Sequence, residues 1–234
     1  MSLSVIISAS FIKSHPSIDF IKYTIESLGY LNLKEDTPIF LAHDYNSCVK
    51  YTEYLENLNE YVKDKPFIKI ITRETHGHLT GNIRNAFNFI NTEYVLIIQH
   101  DLPFIRKLEI QNIIYDMQNS PELKHIRFNK RKNIKVASDA LNDLFGRQIV
   151  CKYNTYTRTP SWSDQNHICR ADYYRDVILK ECNDGNFMEI YLIKRSTNEE
   201  IHKIYGTYLF GKLNEAAYIR HIDGKKNNNV IKLT

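Results

Sequence analysis

At 234 residues the chain has room for one domain with a full core, and its 43% hydrophobic and 25% charged content is that of a soluble globular protein. A net charge of +4, spread along the chain, excludes the dense basic stripe of a nucleic-acid binder but suits an anionic ligand such as a diphosphate. Four cysteines without C-x-x-C spacing exclude a zinc ribbon or a disulfide scaffold and fit a reduced, cytoplasmic compartment, while the lack of any long apolar run leaves only peripheral membrane contact open.

The first expected element is a strand over residues 3–10, too short and too lacking in flanking basic residues for a signal segment. Ser8 and Ala9, small and at its end, let a ligand approach the backbone. Ser14-His15-Pro16-Ser17 carries helix-start signals, and Ile18, Ile21, Ile25 and Leu28 mark a helix face that Gly29 ends. Residues 38–42 read as a second strand, ending at His43-Asp44. Ser47 is placed to cap a helix with the face Tyr51, Tyr54, Leu55 and Leu58. Residues 67–71 form a third strand, followed by Thr72-Arg73-Glu74. Gly81 and Asn82 open a helix with Ile83, Ala86, Phe87 and Ile90 on one side, and residues 94–98 are a continuous apolar run expected to be buried on both faces. That run breaks off into Gln99-His100-Asp101. The order β-α-β-α-β-α-β over residues 1–101 implies a parallel sheet with right-handed crossovers, a Rossmann-like nucleotide-binding architecture.

Beyond Asp101, Pro103 is placed to open a helix whose apolar face is Ile110, Ile113, Ile114 and Met117. Residues 126–129 read as a strand. Residues 130–167 are polar, with the cluster Lys130-Arg131-Lys132 expected to be a solvated loop, a short helix over 139–145 and a strand over 151–158. The segment 161–167 is dense in hydrogen-bonding side chains around the only tryptophan, Trp162, whose ring suits either a sugar face or the core. Residues 171–180 look helical, Asn183-Asp184-Gly185 is a turn, and 204–210 is a strand. Sixteen tyrosines supply flat amphipathic surface that suits sugar or base stacking as well as packing.

In an open α/β sheet, ligands sit beyond the carboxyl ends of the strands, which is where Asp44 and Gln99-His100-Asp101 fall. The pattern G-N-x-R-N-A followed by E-Y-V-L-x-x-x-x-D, carried by Gly81, Arg84, Asn85, Ala86, Glu93, Tyr94 and Asp101, resembles the inverting family 2 glycosyltransferases of GT-A fold. His100 departs from that pattern, standing where the family usually has another Asp. The QHDLPF and HIDG segments also resemble glycosyltransferase domains encoded by large DNA viruses of algae and by some microbes. The resemblance implies a single α/β GT-A domain, with a mostly parallel central sheet flanked by helices. Residues 1–104 form its nucleotide-sugar-binding half and 105–234 its acceptor-binding half. It implies transfer of a sugar from a nucleotide-diphosphate sugar to a glycan or other hydroxyl acceptor, with Mn²⁺ or Mg²⁺ as cofactor. Asp101 would hold the metal and His221, or Asp223 beside it, would complete its shell. His100 would face ribose or metal, Asp44 the base or ribose, and Arg84 the base or diphosphate near the helix start at Gly81. Gln99, Ser8 and Ala9 complete the expected cofactor contacts.

Deprotonating an acceptor hydroxyl needs a carboxylate beside it. The resemblance points to Glu189 in Phe-Met-Glu, with Asp164 in Trp-Ser-Asp as the competitor. Two other classes stay open. A sugar nucleotidyltransferase shares the frame, but the segment 8–13 lacks the glycine-rich phosphate loop such an enzyme carries. A non-catalytic carbohydrate-binding module on the same scaffold would account for His100.

Overall fold

The computed structural model describes residues 2–135, 144–192 and 198–222. Strand β1 (Leu3–Ala9) is buried along its whole length, flanked by β2 (Ile39–His43) and β4 (Tyr94–Gln99), with β3 (Ile68–Thr72) outside β2; all these pairings are parallel. The register pairs Ser8 with Ala42 and with Gln99, so the strands end together at one edge of the sheet. Helices α1 (Asp19–Ser27), α2 (Val49–Val62) and α3 (His78–Phe87) form the crossovers. Their buried faces follow the apolar spacing: Ile21 and Ile25 on α1, Tyr51, Tyr54 and Leu58 on α2, Ile83, Ala86 and Phe87 on α3.

The expected starts of two helices need correcting. Cys48, not Ser47, precedes α2 and offers no side-chain cap; Asn46 Oδ1 instead accepts the Cys48 N–H at 2.9 Å. Helix α3 begins at His78 rather than at Gly81, because Gly77 supplies the cap position, its backbone free to sit hard against the Arg73 guanidinium.

After β4 the sheet turns mixed. Its order is β3-β2-β1-β4-β8-β5-β9-β7-β6, with β5 (His125–Arg127), β6 (Gln148–Val150), β7 (Thr155–Arg158), β8 (His167–Arg170) and β9 (Thr207–Phe210). Strand β8, antiparallel between β4 and β5, has no clear period in the sequence. The expected strand over 151–158 is a hairpin, β6 and β7, closed where Cys151 N–H donates to the Asn154 carbonyl. Pro103 opens no helix. The chain there stays extended against the C-terminal segment, and α4 (Ile110–Asn119) starts seven residues later. Residues 139–143 of the expected helix over 139–145 lie outside the described residues. A helical stretch follows β8: α5 (Ala171–Tyr173), a π-helical segment (Tyr174–Ile178) and α6 (Leu179–Glu181). Then come α7 (Met188–Leu192) and α8 (Glu199–Tyr205). Two apolar cores lie on the two faces of the sheet, one under α1, α2 and α4, the other under α3 and the helical stretch after β8. No helix among the described residues is long and apolar enough to cross a membrane.

Candidate active site

The strand ends of β1, β2 and β4 open into a cleft of about 1140 Å³. Asp44, Gln99, His100, Asp101 and Asp164 line it, together with Ser8 and Ala9. Ile98 is fully buried, and the chain leaves the sheet at Gln99-His100. The extended segment after Asp101 pairs with the C-terminal segment: Ile105 N–H donates to the Tyr218 carbonyl, Arg220 N–H to Pro103 and Ile222 N–H to Asp101, at 2.9–3.0 Å. This pairing carries His221 to Asp101 across 120 residues of chain, and Nε2 stands 3.0 Å from Oδ2. A carboxylate only accepts, so the imidazole donates.

These two atoms fit a shared divalent cation. Cis ligands at ~2.1 Å from an octahedral ion stand roughly 3 Å apart, and carboxylate with imidazole is a donor set that Mn²⁺ accepts. The protein supplies two ligands here, and no cluster of three or more metal-ligating side chains occurs among the described residues. The remaining positions would fall to ligand oxygens and water. Asp223 lies outside the described residues. His100 does not join this pair. Its backbone is fixed by the Ser8 carbonyl and the Thr24 hydroxyl, and its buried ring lies within electrostatic reach of His15 and His43.

At the β2 end, Asp44 is buried. Oδ1 accepts the N–H groups of Tyr45 and Gly77 at 3.0 and 2.9 Å, and Arg73 Nε lies 3.9 Å away. His76 Nδ1 lies 2.8 Å from Oδ2 but out of line for a hydrogen bond. Asn82, missed in the sequence, ties the strand ends together: Nδ2 donates to Ser8 Oγ, the Ala9 carbonyl and the Ala42 carbonyl. That leaves Asp44 Oδ2 and Asn82 Oδ1 as buried acceptors without a protein hydrogen bond, on two residues lining the same cleft. Buried acceptors need donors, so they favour a ligand rich in N–H and O–H groups. The Ser8 and Ala9 carbonyls are already engaged by His100 N–H and Asp44 N–H.

Arg84 and Gly81 sit elsewhere. Arg84 donates to Asp184 Oδ1 and to the Leu179 and Cys182 carbonyls, which locks α3 to the end of the helical stretch after β8 and keeps the guanidinium out of the cleft lining. Gly81 leaves room for Arg73, whose Nη1 donates to the Gly81 carbonyl at 2.5 Å.

The two candidate bases come together. Ser163 Oγ donates to Glu189 Oε1 at 2.5 Å, and Asp164 is its sequence neighbour. Burial, and then the Glu189 charge, raise the Asp164 pKa to about 7. The Asp164 loop is fastened to the β4 end: Gln99 Nε2 donates to the Asp164 carbonyl, and the fully buried Asn166 accepts from Gln99 N–H and donates to the Leu102 carbonyl. Asn166 therefore brackets Asp101 on both sides. Trp162 is fully buried against His125 and His167, so it packs in the core and presents no face to a ligand. Aromatic rings that do line the cleft include Phe11, Phe20 and Tyr45 and the run His76, His78 and Phe187, whose ring centroids lie 4.2 and 5.2 Å apart in succession. His78 holds a left-handed φ of 52°, a strained position for a non-glycine residue. Lys130, Arg131 and Lys132 are exposed.

No family model and no curated protein matches the sequence. Solved structures do match. S. aureus TarS 1-349 in complex with UDP-GlcNAc superposes with a TM-score of 0.62 at 15% identity, over 98% of this chain and 60% of that one. GalNAc-T7 with UDP, GalNAc and Mn²⁺ gives 0.63 at 11% identity, over 99% of this chain and 46% of that one. The chain has a GT-A-like fold. The mannosyltransferase PcManGT from Pyrobaculum calidifontis, in complex with GDP-Man and Mn²⁺, agrees at a TM-score of 0.53 and 10% identity, over 75% of this chain and 46% of that one. This chain thus spans less than two thirds of each of these structures. They lend no support to the narrower resemblance to viral domains.

Proposed function

We propose that this chain transfers a glycosyl group from a nucleoside diphosphate sugar to a hydroxyl of a glycan acceptor, with inversion and with Mn²⁺ or Mg²⁺ bound. The observation that carries the reading is the pairing of Asp101 with His221 at the mouth of a strand-end cleft that also holds Asp44 and Asp164. The ligands in the matching structures, UDP-GlcNAc with TarS, GDP-Man and Mn²⁺ with PcManGT, and UDP, GalNAc and Mn²⁺ with GalNAc-T7, agree with it.

In this reading residues 1–104 hold the donor. The two unsatisfied acceptors on Asp44 and Asn82 take N–H or O–H groups of the nucleoside. Asp101 and His221 hold the cation, which would supply positive charge against the diphosphate. Residues 105–234 present the acceptor to Asp164. Its carboxylate takes the acceptor proton, the freed oxygen lone pair forms the new bond to C1, and the old C1–O bond breaks with its electrons onto the diphosphate. A single base on one side and a leaving group on the other give inversion. Glu189 tunes Asp164, because a second negative charge favours the proton-accepting group that holds its proton near neutrality.

The test is a thermal-shift panel of nucleoside diphosphates with Mn²⁺, Mg²⁺ or chelator. A ligand at a hundredfold excess over Kd stabilises by ~2.7 kcal/mol. The expected result is a metal-dependent shift with one diphosphate, lost in Asp101→Asn. A full shift with chelator present would remove Asp101 and His221 as metal ligands. No shift with any nucleotide would overturn the donor reading.

A further inference from the structure

A diphosphate brings two to three negative charges into a cleft that already carries Asp44, Asp101 and Asp164. One divalent cation cannot offset all of these, so the cationic side chains nearby matter. Arg73 is engaged by the Thr75 and Gly81 carbonyls and by Asp184. Arg84 is engaged by Asp184 and two carbonyls. Among the described residues, Lys13 is the one lysine or arginine that lines the cleft, and it is exposed and forms no ion pair.

Lys13 stands on a fastened turn. Ile12 N–H donates to His15 Nδ1 at 3.3 Å, and His15 N–H donates back to the Ile12 carbonyl at 3.2 Å. The His15 ring is buried and stacked 4.0 Å from the Tyr54 ring and 5.4 Å from the Tyr51 ring, so α2 anchors the turn from below. To accept the Ile12 N–H, Nδ1 must be unprotonated, and burial lowers the His15 pKa to about 4. His15 is thus neutral and supplies geometry, while Lys13 at the tip supplies charge. Ser10 and Ser14 line the same cleft and add hydroxyl donors.

We propose that the Ile12–His15 turn is a preorganised anion contact, with Lys13 binding the diphosphate of the donor and His15 positioning the turn. This rests on the donor-nucleotide reading above and deepens it: recognition would count phosphates through Lys13 separately from the nucleoside.

The test measures dissociation constants of uridine, UMP and UDP, and of guanosine, GMP and GDP, for wild type, Lys13→Ala and Lys13→Arg, with Mn²⁺ present and over a range of salt. A charge-assisted contact is worth ~1.5–3 kcal/mol, so Lys13→Ala should weaken the diphosphate by roughly 10-fold or more while leaving the nucleoside unchanged. Lys13→Arg should stay within a few-fold of wild type, and the salt dependence of diphosphate binding should be shallower in Lys13→Ala. Equal losses for nucleoside and diphosphate, or no loss for the diphosphate, would overturn the assignment of Lys13. If wild type binds neither series, the donor reading itself falls and the inference with it.

Discussion

A carboxyl that titrates near pH 7 is matched to taking a proton from a hydroxyl at neutral pH. Asp164 is such a group, lifted by burial and by Glu189. Activity should therefore climb with pH through about 7, and Asp164→Asn should lower kcat by ~10²–10⁴-fold, read in a donor-turnover assay. The same shift has a stability consequence. The folded state holds the Asp164 proton up to about 7, the unfolded state releases it near the ordinary carboxylate value, so between those limits the folded form binds more protons and stability declines as pH rises. Asp164→Asn should remove that contribution, so that the gain in unfolding free energy from pH 5 to pH 8, measured by chemical unfolding, is larger in the variant than in wild type. In the sequence the family resemblance pointed to Glu189, with Asp164 as its competitor. Their proximity was not legible, since Ser163 and Glu189 meet only through the fold. Arg84 and Trp162 show the converse. Each has a residue type suited to ligand contact, but a buried carbonyl pair claims one and the core claims the other.

At the scale of elements, the apolar spacing located β1 to β4 and the helices between them, because the strands lie between two apolar cores and each helix buries one face against one of them. After β4 it still located the face of α4, but it placed the strands only roughly, because they are three or four residues long and are held by their neighbours rather than by their own pattern. The boundary between α8 and β9 shows why. The apolar run from Ile204 reads as one strand, yet Gly206 sits in the left-handed region (φ 51°), ends the helix and turns the chain into the sheet. A Cβ there would lie 2.4 Å from the Glu122 carbonyl oxygen, a backbone atom that cannot swing aside. Gly206→Ala should therefore destabilise by ~1–3 kcal/mol, more than a surface substitution, visible as a lower denaturant midpoint at unchanged slope. A midpoint equal to wild type would mean that the α8–β9 corner relaxes without cost.

Across the whole molecule, stability and chemistry pull toward the same pH range. His15, His43, His125, His167 and His202 are buried, and burial lowers the pKa of each, to about 4 for His15, His43, His167 and His202 and well below the ordinary imidazole value for His125. They lie in both halves of the chain, on the turn below the cleft, at the end of β2, in β5 and β8 beneath Trp162, and on α8. In the unfolded chain each takes a proton near 6.5, so from there down toward 4 the unfolded state binds more protons and stability is lost as pH falls. Each histidine contributes a slope of up to ~1.4 kcal/mol per pH unit. Asp164 opposes them with the other sign in an overlapping window, but it is one carboxyl against five imidazoles. The protein should accordingly melt several degrees lower at pH 5 than at pH 7. The loss should shrink in a variant that removes one imidazole while keeping its volume and hydrogen bond, such as His43→Gln, where Leu41 and Tyr54 hold the ring. An equal melting temperature at the two pH values would mean that the buried imidazoles are not held neutral by the fold. If they are, the chain is most stable in the range where Asp164 begins to give up its proton. The Lys13 turn, which needs His15 unprotonated, is intact there too.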